Sequence, residues 1–285
     1  MRLTYYPQNG DITLIGMKMV INELVESIST NQVVTTSELV AQVTEILDSE
    51  QENGYVYKKF IYPLLKKKYL TRIRRNLYHV TTPGYRDSIV DRFTVASQIR
   101  QRYYIGFHAA LEFYGVAYSY RNRVHIGVEP RNRFDEFSYQ NTTYTPFLTN
   151  DIETEVFHQS HLDRDVKVCS KERLLIECVK YPDRVGGWEE ALKSLQSLGG
   201  IDFDTLLDYL FLTRNQSLLR RVGLVLELLR DESLYYRHLK DSTIEEIQKR
   251  VEGNERYLEK GKIGALNKKW KLYISSDFEQ YLRGV

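Results

Sequence analysis

The chain has 285 residues, of which 42% are hydrophobic and 27% charged, which is enough to bury a core without staples and excludes a disordered or collagen-like class. Two cysteines, Cys169 and Cys178, make no disulfide framework and point to a reducing compartment, and 40 Lys/Arg against 38 Asp/Glu leave a net charge of only +2. The apolar run 12–28 is broken by Lys18, Glu23 and Glu26, and no apolar stretch reaches membrane-spanning length, so a soluble cytoplasmic protein without membrane contact is expected.

Met17, Ile21, Leu24 and Ile28 recur at helical spacing and predict a first helix. Thr35-Thr36-Ser37-Glu38 has the form of a capping box ahead of Leu39, Val40, Val43 and Leu47, which predicts a second helix of about three turns. A polar connection, 48–54, leads to a third helix starting near Tyr55. Its apolar side carries Val56, Tyr57, Phe60, Ile61 and Leu64, and its outward side Tyr55, Lys58, Lys59, Tyr62 and Lys66. Pro63 conflicts with a regular helix there, so the helix either kinks at this residue or begins later than Tyr55. Residues 71–74 and 77–80 predict two short strands joined through Arg75-Asn76, and Pro83-Gly84 closes the unit.

Charge is unevenly distributed over this region. Residues 55–86 hold nine Lys/Arg and no Asp or Glu, whereas the acids of the first 87 residues fall before Tyr55 or at Asp87. A solvated helix face normally mixes signs to gain i,i+4 pairs. A one-sided run interleaved with tyrosines is instead the electrostatic footprint of a nucleic-acid partner. Three helices and a hairpin in about 80 residues predict a winged helix-turn-helix domain over 1–87.

Beyond it, 88–285 is expected to be a mixed α/β domain with a small sheet and several helices, giving an α+β protein. Helices are predicted at 91–101 and 103–115, the latter ending at a glycine cap, and strands at 124–128, 134–144, 153–159 and 166–169. Ser170 is a predicted N-cap for a helix that Pro182 to Gly187 interrupts. Further helices follow at about 188–197, 203–212 and 215–230, then a polar tail up to a closing strand at 270–274.

No nucleotide-binding glycine motif, nucleophile elbow or zinc-protease motif is present. His158 and His161, near Asp163 and Asp165, would lie on opposite faces of a strand and so read as exposed histidines, and the two cysteines lack metal-ligand spacing. Asp165-Val166-Lys167 with Asp163 upstream has the acid-x-Lys form of metal-dependent nucleases, but Asp163 is too near in sequence to supply the separate strand-end acid. No catalytic residue, metal or cofactor is assigned.

Two stretches carry a family likeness: 104–115 (YIGFHAALEFYG) and 171–178 (KERLLIEC), the second continuing into Gly186-Gly187-Trp188-Glu189-Glu190-Ala191-Leu192 and 219–227 (LRRVGLVLE). In these, together with the N-terminal unit, the chain resembles the AbiEi family, the antitoxins of abortive-infection type IV toxin–antitoxin systems. Lys171 departs from the acid that often precedes the Glu-Arg pair there. The resemblance implies a non-enzymatic repressor of its own operon that also counters a nucleotidyltransferase-like toxin, in a scheme that does not require a stable complex between them.

The expected DNA surface is Tyr55, Lys58, Lys59, Tyr62 and Lys66 to the bases, with Lys66, Lys67, Lys68, Arg72, Arg74 and Arg75 on phosphates or in the minor groove. Arg173, Arg220 and Arg221 are the candidate antitoxin surface. Expected partners are double-stranded operator DNA, a cognate toxin and, on DNA, a second copy of the chain. A stand-alone winged-helix regulator with a ligand- or partner-binding C-terminal domain is the alternative, and a metal-dependent nuclease a third class.

Overall fold

The computed structural model describes residues 14–81, 88–162, 164–259, 261–262, 264–278 and 280–283. Pro83-Gly84 and Asp163 lie outside them. The protein is a mixed α/β structure that divides into two compact units, Met1–Gln101 with His161–Arg164, and Arg102–Ser160 with Asp165–Val285.

The first unit begins with α1 (Leu14–Ile28), a short strand β1 (Val33–Thr35) and α2 (Thr36–Leu47). Thr35 caps α2 through a reciprocal pair of bonds: its hydroxyl accepts from the Glu38 amide at 3.2 Å, and the Glu38 carboxylate accepts from the Thr35 amide at 2.7 Å. Two of the helix's orphan donors are satisfied in this way. A third helical stretch follows in three consecutive pieces: α3 (Asn53–Val56), a π turn (Tyr57–Ile61) and α4 (Tyr62–Lys66). Strands β2 (Leu70–Arg74) and β3 (Leu77–Val80) form an antiparallel hairpin, with a bulge between Arg72 and Arg74 and Asn76 at a φ of 63° in the turn. β1 pairs with the far side of β3, giving the order β1-β3-β2. Leu24, Ile28, Val34, Leu39, Val43, Val56, Phe60, Ile61 and Leu64 are buried in one cluster. α5 (Arg92–Ser97) completes the unit, capped by Asp91. Residues 88–101 thus go with the first unit, which extends past residue 87. Asp91 is tied into it, its amide donating to Gln32 Oε1 and its carboxylate bonding His161 Nε2.

The second unit is built on a six-stranded mixed sheet of order β6-β7-β5-β4-β9-β8. These strands are β4 (Tyr104–Gly106), β5 (Arg123–Val128), β6 (Phe137–Tyr139), β7 (Thr142–Leu148), β8 (Val156–His161) and β9 (Arg164–Cys169), with α6 (Phe107–Phe113) between β4 and β5. Two expectations are corrected here. Residues 103–115 do not make one helix: Tyr104–Gly106 is a central strand paired with β5 and β9. Phe107 sits at a φ of 56°, a left-handed conformation that a helix cannot run through, so α6 starts there. The helix does end at Gly115, with φ of 70°, whose amide bonds the Glu112 carbonyl while Val116 bonds Leu111. Likewise 134–144 is two strands, divided at Gln140-Asn141, both at positive φ as a tight hairpin turn requires.

Helices α7 (Lys171–Lys180), α8 (Pro182–Val185), α9 (Trp188–Gln196), α10 (Phe203–Leu212) and α11 (Gln216–Glu232) follow, with Ser170 accepting from the Arg173 amide as the N-cap of α7. The expected polar tail contains one more helix, α12 (Asp241–Lys249), which buries Thr243, Ile244 and Ile247 and is tied to α11 by an Arg230–Asp241 pair at 2.6 Å. Strands β10 (Arg256–Tyr257), β11 (Ala265–Asn267) and β12 (Leu272–Ile274) form a small sheet of order β10-β12-β11, and α13 (Gln280–Arg283) comes last. Among the described residues no helix is long and apolar enough to cross a membrane.

The capping box gives a direct test of the first unit. Thr35→Ala removes one bond and loosens the other, and should lower stability by about 1 kcal/mol. Urea unfolding of the variant should shift its midpoint without changing the slope.

Candidate nucleic-acid interface

The basic stretch 55–86 spans the third helical segment and the hairpin, and the chain geometry explains how Pro63 is housed. All residues from Val56 to Tyr62 are right-handed helical, and the Tyr62 amide reaches back five residues to the Tyr57 carbonyl. Proline has no N–H, so the carbonyl four residues before it would lose its partner in a regular helix. The wider π turn just ahead of Pro63 absorbs this defect, and Pro63 then occupies the first turn of α4, where a missing N–H costs least. The segment therefore neither breaks at Pro63 nor starts after it; it begins at Asn53.

The same π turn changes which side chains face out. It inserts one residue relative to α-helical spacing, rotating the residues before it by roughly 100° against those after it. Tyr55 consequently turns inward: it is half-buried against the core and its ring meets Phe60 edge-on at 6.1 Å. It does not stand on the outward face where regular spacing would put it. Lys59 is half-buried too, while Lys58, Tyr62 and Lys66 are exposed. Val56, Phe60, Ile61 and Leu64 face the core as expected.

The end of α4 closes in a Schellman arrangement with Lys68 at a φ of 59°. Its amide bonds the Leu65 carbonyl and that of Tyr69 bonds Leu64. Glycine is the usual residue there, and a side chain with Cβ costs about 1 kcal/mol in this conformation. Lys67 and Lys68 are exposed at this corner. On the hairpin Arg72 and Arg75 are exposed and Arg74 is half-buried. Arg72 is held in place: its Nη2 donates to Tyr57 Oη at 2.8 Å, and its guanidinium lies 6.0 Å from the centroids of Tyr57 and Tyr78. Tyr57 thus links the π turn to the hairpin, a positioning role that helical spacing, which assigned it to the core, does not reveal. Among the described residues no carboxylate pairs with Lys58, Lys59, Lys66, Lys67, Lys68, Arg72 or Arg75.

The arginines of the second unit are a different matter. Arg173 is 2% exposed, so it belongs to no surface. Its Nε donates to Glu177 Oε1 at 2.9 Å, Nη1 to the Thr154 carbonyl at 2.6 Å and Nη2 to the Asp151 carbonyl at 2.8 Å, and its guanidinium lies 4.0 Å from the Tyr104 ring centroid. Burial works against its charge, but Tyr104, Glu177 and Tyr209 outweigh that, and its pKa lies above the ordinary arginine value. Arg220 is also 2% exposed, its guanidinium donating to the carbonyls of Asn254 and Glu252. These two hold loops and helices together and are not a partner surface. Arg173 lines a small cavity of about 310 Å³, and Arg221 reaches a larger opening. Arg221 is half-buried and lines a cleft of about 1170 Å³ in the second unit.

Asp165 is exposed on β9, and Lys167 lies over the Tyr103 ring at 5.8 Å. Among the described residues no group of three or more His, Cys, Asp or Glu side chains could hold a metal ion. Cys169 and Cys178 are buried thiols, pushed upward in pKa by that burial.

The chain is similar in fold to the RV2827C protein from Mycobacterium tuberculosis, known from a crystal structure. The TM-score is 0.64 over 93% of this chain and 94% of that one, at 14% sequence identity. At that identity the likeness speaks to the fold alone. No protein-family model and no curated protein matches the chain.

Arg173 separates a core role from a surface role. Arg173→Met leaves the Glu177 carboxylate buried without its cationic partner and should cost about 3–5 kcal/mol. Chemical denaturation should show that loss, whereas Arg221→Met, at a half-buried position with no carboxylate partner, should change stability by less than about 1 kcal/mol.

Proposed function

We propose that the chain is a DNA-binding regulator of the antitoxin type. In this reading residues 14–81 are a winged helix: 53–66 is the recognition helix and the β2–β3 hairpin the wing. The observation that carries it is that, among the described residues, no carboxylate pairs with Lys58, Lys59, Lys66, Lys67, Lys68, Arg72 or Arg75, which run from helix to hairpin. Unpaired surface cations of one sign repel each other and are better satisfied by phosphates than by water alone. Lys58 and Tyr62 would approach base edges in the major groove, with Lys66, Lys67 and Lys68 against the adjoining backbone and Arg72 and Arg75 at phosphates or in the minor groove. Two copies on a palindromic operator would repress the protein's own operon. The half-buried Tyr55 supports the helix in this scheme and does not read sequence.

The antitoxin part rests on the likeness to AbiEi in 104–115 and 171–227. It assigns to the second unit the neutralisation of a nucleotidyltransferase-like toxin, without catalysis by this chain. A regulator acting alone, with a ligand-sensing second unit, is the second reading, and the cleft that Arg221 lines favours it.

Fluorescence anisotropy on operator DNA tests the first part. If about five phosphates are neutralised, log K should fall against log salt with a slope of roughly −4.5, and a slope near zero would overturn the reading. Arg75→Ala should weaken binding to every sequence alike, while Lys58→Ala should change sequence preference. Lys68→Gly should reduce affinity without lowering stability, because it removes a charge and relieves a left-handed backbone. The antitoxin part is tested in cells: the full-length chain should restore growth when made together with a nucleotidyltransferase encoded beside it, and failure to do so would remove that half of the proposal.

A further inference from the structure

Six Lys or Arg residues line the cleft of about 1170 Å³ in the second unit, against two carboxylates. Three of the six are engaged: Arg121 has partners of its own, Arg123 is bonded to Glu136 at 2.6 Å and Lys262 to Glu259 at 2.9 Å. The other three, Lys180, Arg184 and Arg221, are half-buried. Among the described residues their charged groups meet no carboxylate and no other hydrogen-bond acceptor.

Two of the three are fixed against one ring. Lys180, at the end of α7, lies 5.1 Å from the Tyr181 centroid, and the Arg184 guanidinium, in α8, lies 5.9 Å from the same centroid. Arg184 is also 4.9 Å from Phe147 and 5.7 Å from Phe107. Ring faces hold a cation in place but leave its N–H donors open to an oxyanion. Phe107 in turn meets the His125 ring edge-on at 5.4 Å, which brings a histidine into the cluster. His125 is 6% exposed, and its Nδ1 is buried without a hydrogen-bond partner. Burial, Arg184 and Arg123 hold its pKa down to about 4, so at physiological pH it is a neutral donor that adds no charge. Arg221 comes from α11, where burial works against its charge and its Nε is unmet.

Like charges gathered in one cleft repel each other, and a ligand that offsets several of them at once relieves the repulsion. The aromatic lining excludes recognition of a base. Tyr181 carries two cations, Trp188 packs on Phe278 at 5.1 Å, and Tyr120 is engaged elsewhere. A nucleic-acid strand is tracked by a row of stacking faces, which these rings do not offer. Charge is what remains. Linked phosphates present several negative oxygens close together, more densely than the spaced phosphodiesters of a strand.

We infer that this cleft binds a short chain of linked phosphates, a di- or triphosphate, through Lys180, Arg184 and Arg221 and without reading a base. The planar fork of each arginine can meet two phosphate oxygens at once, and the lysine acts as a point charge. A free inorganic chain and the tail of a nucleotide share these contacts. The assignment rests on neither the DNA nor the antitoxin reading, since it concerns other residues and another ligand.

Calorimetric titration of the full-length chain in about 0.15 M salt, without added metal, tests it. The probes are inorganic triphosphate, pyrophosphate, orthophosphate, ATP and a short single-stranded oligoribonucleotide. Triphosphate should bind with a Kd of about 0.1 mM or lower, and orthophosphate about tenfold more weakly or worse. ATP at an affinity similar to triphosphate supports the inference and admits nucleotide tails. ATP about tenfold weaker or worse supports it too, and restricts the site to inorganic chains. Arg184→Gln and Arg221→Gln should each weaken triphosphate binding by about tenfold or more. Lys180→Gln repeats the test should either arginine variant fold poorly, and operator affinity should be the same in all three. The inference is overturned if triphosphate does not bind at millimolar concentration, or if its affinity is unchanged in every folded variant. Loss of triphosphate binding in Arg75→Ala, with the cleft variants unaffected, would place the anion on the hairpin and overturn it as well. So would orthophosphate binding as tightly as triphosphate, ATP binding more than about tenfold tighter than triphosphate, or the oligoribonucleotide binding where the phosphates do not.

Discussion

The second unit depends on a positive charge taken out of water. Arg173 reaches from α7 to the carbonyls of Asp151 and Thr154, the carboxylate of Glu177 and the face of Tyr104, so one side chain fastens a helix, the chain segment ahead of β8 and the central strand β4. Desolvating a guanidinium costs several kcal/mol unless its donors are met. Here Nε, Nη1 and Nη2 each have an acceptor. The partners are positioned in turn: Tyr104 Oη donates to the same Glu177 oxygen at 2.6 Å, and the Tyr104 ring lies where a Cβ on Gly127 would be 2.0 Å away. Only glycine on β5 leaves that space. A strand glycine usually weakens a sheet, and this one is retained because it lets the ring under Arg173 lie flat.

The first unit is governed by a different constraint, a proline in a helix that must stay continuous. The π turn satisfies it, and two consequences follow from the same extra residue. Tyr55 is rotated into the core, and Tyr57 is brought to where its hydroxyl accepts from Arg72. The backbone irregularity that accommodates Pro63 therefore also ties the helix to the hairpin, which regular α-helical geometry would leave less directly connected. Lys68 adds a second irregularity at the other end, a lysine in a conformation that glycine adopts more cheaply. The left-handed backbone at Lys68 places a second exposed lysine beside Lys67 at the corner between α4 and β2.

These irregularities mark where the fold was legible from residue order and where it was not. The capping box at Thr35, the N-cap at Ser170, the hairpin through Asn76 and the end of α6 at Gly115 each follow from short-range chemistry, and each was readable. β4 was not, because Tyr-Ile-Gly-Phe is an apolar run that suits a buried strand or a buried helix equally, and only the left-handed Phe107 divides them. α12 was hidden for the opposite reason: with Ile244 and Ile247 as its only buried aliphatics, its periodicity is too sparse to stand out from a polar tail. The basic face was legible as composition. Its rotation through the π turn was not, since it depends on how the chain repairs a missing N–H.

Arginine shows most clearly why charge in a sequence does not report its role. Arg173 and Arg220 look like ordinary helix-surface residues, and Arg173 even has a glutamate at i+4, the spacing of a solvated pair. The pair is instead buried, because α7 is enclosed from Glu172 to Val179 and has no solvent side for polarity to mark. Arg184, next to a helix-breaking proline and two glycines, looks like loop decoration, yet it is held by three rings at the wall of a large cleft. What distinguishes these residues is the acceptor each one meets. Arg173 meets an acceptor at each of its three nitrogens, and Arg220 meets two carbonyls through Nη1 and Nη2, although its Nε is buried without one. Arg184 and Arg221 have rings or an unmet N–H, and are unfinished. An unfinished cation in a cavity is most simply completed by an anion from outside the chain, which is why the cleft, and not the buried arginines, carries the argument for a ligand.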